Sequence, residues 1–131
     1  MRLWPLSIIS QLPRQQLLGQ HRECCALRGK GWGRKHSTVD YVFKHPFKWL
    51  YLYHLVVLNE MDDRGYKVAS GWWLSNYRGK TLGMDDTGFT ECATAFDYPL
   101  DFRIYPEHDA AYLNECLENL RRKGVVLRNA G

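Results

Sequence analysis

The chain has 131 residues, 45% hydrophobic and 14% aromatic, which excludes a disordered chain and allows one domain with a real core. Its net charge of +4 is unevenly spread, which argues for a basic face turned to phosphates: residues 1–50 hold nine Lys or Arg against Glu23 and Asp40, and residues 51–131 hold nine against twelve acids. Four cysteines, two of them adjacent, exclude a dense disulfide framework, and no stretch approaches the ~18 apolar residues of a membrane helix, so a reduced, cytoplasmic protein is expected.

The start "MRLWPLSII" resembles a signal peptide only superficially, because Pro5 interrupts it and no small-residue cleavage site follows. The first predicted helix spans 11–28, with Ser10 as N-cap, Pro13 in the first turn and Gly29 as the stop. Leu17, His21, Cys24 and Cys25 share one side of it, and Gln16, Gln20 and Glu23 another. Arg22 is beside Glu23 on the wheel, so that carboxylate is not required to enter the core. "GKGWG", residues 29–33, lacks the spacing of a P-loop and reads as a flexible basic loop that lets backbone approach a phosphate strand.

The second predicted helix, 47–63, is apolar nearly all round and so central, ending at Gly65. Its His54 is expected to be a hydrogen-bonded core residue. Residues 66–105 show no sustained period and are expected to hide short helical turns or a small hairpin, with Trp72-Trp73 as anchors. The third helix, 106–123, has Pro106 in its first turn, Leu113, Cys116, Leu117 and Leu120 as its buried stripe, and Gly124 as its cap. The fold class is therefore mainly α: a single compact domain over residues 1–131, with three principal helices and an irregular 66–105 segment.

No metal site or cofactor is expected. His21-x-x-Cys24-Cys25 has no second ligand half, and a Cys nucleophile there lacks an oxyanion-hole signature. Chemistry points instead to Glu23, the only carboxylate in the first 39 residues, among seven Lys or Arg. Arg2 is bulky enough to block removal of Met1, which then keeps its α-amine. That amine has an ordinary pKa near ~8 against ~10.4 for Lys, so at neutral pH it is the chain's most available amine nucleophile. Such an amine can attack C1′ of a deoxyribose, displace the base and leave an imine. A nearby carboxylate stabilises the cationic sugar and later manages protons in β-elimination. The bland alternative for Glu23 is an exposed ion pair with Arg22, Arg2 or Lys30.

The amino-terminal "MR", the stretch "LPRQQLLGQHRE", "RKH" at 34–36 and, more loosely, "YPEHDAAYLNECLENL" carry a resemblance. The chain resembles the pyrimidine-dimer DNA glycosylase (phage endonuclease V-like) family and its bacterial branch. The resemblance implies a repair glycosylase with apurinic/apyrimidinic lyase activity on damaged pyrimidines, with cyclobutane dimers as the family's lesion. It implies Met1 as nucleophile, Glu23 as catalytic acid, and Arg2, Arg22 and Arg28 as site arginines. Lys30, Arg34, Lys35 and His36 extend the DNA-binding set. The implied partner is damaged double-stranded DNA, bound by a monomer with no obligate protein partner. A glycosylase for another modified pyrimidine, and a non-catalytic nucleic-acid-binding protein, are the alternatives.

Overall fold

The computed structural model describes residues 2–35, 38–85, 99 and 102–127, so Met1 and His36 lie outside the described residues. The chain opens with an extended segment, residues 2–5, and then a single helical turn, α1 (Leu6–Ile9). Pro13 holds an extended ψ of 159° and stands as N-cap of α2 (Arg14–Arg28). The helix thus begins three residues later than the apolar pattern predicts, because a proline drives its predecessor out of helical conformation.

At the far end of α2 the glycine loop folds back on the helix. Gly31 N–H donates to Ala26 O at 2.9 Å, and a Cβ on Gly31 would lie 2.6 Å from that same oxygen. Close packing thus requires a glycine there, and the loop expected to be flexible is hydrogen-bonded to the helix end. Lys30, Arg34 and Lys35 stand exposed around it.

After a 3-10 turn at Asp40–Lys44, α3 (Phe47–Asp63) has the predicted bounds. It is central: Leu50, Tyr53, His54, Val57 and Leu58 are wholly buried, and it packs against both α1 and α2. The irregular segment contains a 3-10 turn at Ser70–Trp73, a short α4 (Gly79–Leu82) and one bridge, Tyr77 to Met84, in line with the turns and hairpin expected there. The last helix, α5 (Ala110–Arg122), starts four residues later than predicted. Asp109, not a residue before Pro106, caps it, accepting from Tyr112 N–H at 2.9 Å. Cys116 and Leu120 form its buried stripe, with Leu113 and Leu117 partly covered. The described residues are mainly α, and none of their helices is long and apolar enough to cross a membrane.

Two arginines lock the irregular segment to α2. Arg28 is fully buried. Its guanidinium donates to Trp72 O at 2.9 Å, Leu74 O at 2.8 Å and Tyr77 O at 3.0 Å. In the reverse direction Arg78 donates to Arg28 O at 3.0 Å and Gly29 O at 3.3 Å. Arg28, expected to contact DNA, is thus found with both terminal guanidinium nitrogens engaged inside the protein. Burial lowers its pKa to about 10, which still leaves it charged at neutral pH.

Candidate active site

The site begins with the extended amino-terminal segment, which crosses α2, α3 and α5 with Leu3 and Trp4 buried. Each of those helices contributes a side chain to it. From α2, Gln20 accepts from Trp4 N–H at 2.6 Å and donates to Arg2 O at 3.1 Å. From α3, the Tyr53 hydroxyl contacts Trp4 O and lies 2.8 Å from Gln20 Oε1. From α5, the Tyr112 hydroxyl donates to Leu3 O at 2.7 Å. Extended backbone points successive carbonyls to opposite edges. Both edges of the segment are therefore held.

Beside it opens a cavity of about 430 Å³. Arg2 and Arg22 line it, joined by Lys123 from the C-terminal end of α5. Trp4 also lines it, with the Arg2 guanidinium carbon 6.0 Å and the Lys123 nitrogen 5.6 Å from its ring centre. Both distances suit cation–π attraction. Gln15, Gln16 and Asn119 supply amides, while Gln20 turns its carboxamide to the backbone of residues 2 and 4, and no acid is among the described lining residues. Such a lining suits an anion with hydrogen-bonding oxygens.

Glu23 is one helical turn past the lining residues Gly19 and Gln20, with 8% of its surface exposed. The helix wheel left it free to stay off the core, and the fold buries it. None of the ion pairs among the described residues includes it. Arg2 is paired instead with Glu115, at 3.2 Å. Arg22 is exposed at the cavity wall.

A second cluster lies on the other side of α2, where His21, Cys25 and His54 bring three ligand-type atoms within 4.8 Å. Arg28 Nη1 is 2.9 Å from His54 Nδ1. A guanidinium only donates, so Nδ1 keeps its lone pair and the His54 proton is on Nε2. That proton points at His21 Nδ1, 2.9 Å away. A metal there would have to displace it beside a fixed cation, so the three residues form a hydrogen-bond relay. His54 is the hydrogen-bonded core residue the sequence predicts. Burial pushes the Cys25 thiol up to about 12 and Cys24 well above its ordinary value, which disfavours the thiolate at both.

The family model described as pyrimidine dimer DNA glycosylase matches residues 1–74. The chain belongs to that family. No curated protein and no solved structure matches it. The matched span of this DNA glycosylase family holds Arg2, Gln20, Arg22, Glu23 and Tyr53, whereas Tyr112 and Asn119 on α5 and Lys123 at its C-cap lie beyond it. Lys123 reads in sequence as a complement to the helix dipole, and nothing local tells that it faces Arg2 and Arg22. Gln20 was visible only as a polar helix position. Its place on the same side of the helix as Glu23 was the available signal.

Proposed function

We propose that the protein is a pyrimidine-dimer glycosylase and abasic-site lyase that works through the α-amine of Met1. The amine nitrogen bonds to C1′ as the glycosidic C–N bond breaks, and the base departs with the electron pair. The amine sheds its protons and the sugar ring opens, leaving an imine. Loss of a C2′ proton then expels the 3′ phosphate, and water releases the enzyme from the imine. Glu23 stabilises the cationic sugar and carries protons in the elimination. Arg2, Arg22 and Lys123 hold the flanking phosphates, and Lys30, Arg34 and Lys35 bind the backbone further along.

The observation that supports this reading is the convergence of three cations from two helices and the amino-terminal segment on one cavity, with Glu23 a turn away. A Glu beside an amine raises the amine pKa and reduces its reactive fraction, and Arg2 and Arg22 oppose that effect. Borohydride trapping on abasic duplex tests the proposal. Wild type is expected to crosslink through its amino-terminal peptide, and Glu23→Gln to bind the duplex but nick it roughly 100-fold more slowly. Absence of a crosslink from protein with a free amino terminus would sink the mechanism. Nicking of dimer-containing duplex compared with duplexes bearing other damaged pyrimidines assigns the lesion.

A further inference from the structure

We propose that Gln20 is a positioning residue for the terminal amine, its carboxamide standing in for a neighbouring strand and fixing the backbone of residues 2 and 4. The inference rests on the reading above, that this amine is the nucleophile. The orientation of the carboxamide is set by its partners, because backbone polarity is unambiguous. Trp4 N–H can only donate, so the atom 2.6 Å from it is Oε1. Arg2 O can only accept, so the atom 3.1 Å from it is Nε2. One side chain thus reproduces both hydrogen bonds that an adjacent strand would make to alternate residues of an extended segment.

Tyr53 adds to the grip. Its single hydroxyl proton faces two acceptors, Trp4 O and Gln20 Oε1, so it ties the carboxamide to the segment and to α3. Gln20 and Tyr53 are buried, and their contacts exchange little with water. A glutamine serving the core alone would need partners of any kind. Its two backbone partners are in residues 2 and 4, and its third partner, Tyr53, also bonds Trp4 O. A nucleophile displaced by about 1 Å loses on the order of 100-fold in rate, so the anchoring is where geometry converts into chemistry.

The test is single-turnover imine trapping on an abasic-site duplex, with duplex affinity measured in parallel. Gln20→Met keeps the length and removes both hydrogen bonds. Its trapping rate is expected to fall roughly 30- to 100-fold, while Kd, dominated by phosphate contacts, stays within about threefold. Gln20→Glu supplies a readout that loss of packing would not move. As a carboxylate it turns a lone pair toward Arg2 O, and as an acid it regains a donor there. Its trapping rate relative to wild type should therefore climb as pH falls from about 8 to about 5.5. Should Gln20→Met fail to fold, Tyr53→Phe, which deletes only the hydroxyl, takes its place with an expected loss of roughly three- to tenfold. A folded Gln20→Met or Tyr53→Phe that traps at the wild-type rate overturns the inference, as does a Gln20→Glu ratio flat with pH. Wild type that never crosslinks overturns the glycosylase reading itself, which is a different result.

Discussion

Arginine 28 shows how far one residue's role can differ from its address in the chain. In sequence it ends a basic helix, a position that suits helix-dipole compensation or phosphate contact equally. In the fold it meets carbonyls 44 to 49 residues away, partners that no local pattern announces. Arg28→Met should destabilise the protein by about 3 kcal/mol in chemical denaturation, since it leaves several buried acceptors unpaired. The salt dependence of DNA binding should not change. A variant as stable as wild type, with a shallower salt slope, would restore Arg28 to the interface. Glu23 is the reverse case: its isolation among cations was legible at once, and its burial was not. Histidines make a separate prediction. His21, His54 and His108 are all held below their ordinary pKa, each chiefly by burial. Their unfolded forms take up protons below about pH 6.5 while the folded forms resist. Stability should be complete above that value and decline as pH falls toward 4, near the value of His108. A urea midpoint unchanged between pH 7 and 5 would refute this.

Elements were legible in proportion to their apolar content. Helix α3 has the predicted bounds because the seventeen mostly apolar residues that follow Pro46, with Gly65 close behind them, permit little else. The two other long helices both start late, at Arg14 and Ala110. In each case a proline suited to a first turn by composition instead lies before the helix. Propensity permits either arrangement, and tertiary contacts decide, as with Asp109 taking the cap of α5. Asp109→Ala should lower stability by about 1 kcal/mol, read as a lower Tm with trapping of abasic duplex retained. Should it also abolish trapping, α5 would be controlling the cavity through more than Lys123 and Tyr112. Residues 66–85 were unreadable because their order comes from the paired arginines and from Trp72 packed on His54 and Tyr77, all contacts made from a distance.

For the molecule as a whole, the uneven charge seen in sequence survives folding as exposed Arg22, Lys30, Arg34 and Lys35 along α2 and its following loop. Contact with about five phosphates gives a log–log salt slope of roughly −4 to −5, and Lys30→Ala should make it shallower by about 1. A flat response would point away from nucleic acid. Helices α1, α2, α3 and α5 share one buried cluster that includes Leu3 and Trp4, so residues 3 and 4 are part of the interior. Because both edges of residues 2–4 are gripped, additional residues upstream cannot be accommodated by sliding the register. On the proposed mechanism, a purification tag fused ahead of Met1 would leave the fold and its DNA affinity intact while turning the amine into an unreactive amide. Carried at the other end, the same tag should be silent, so preparations differing only in this choice would look like an enzyme and an inert binder.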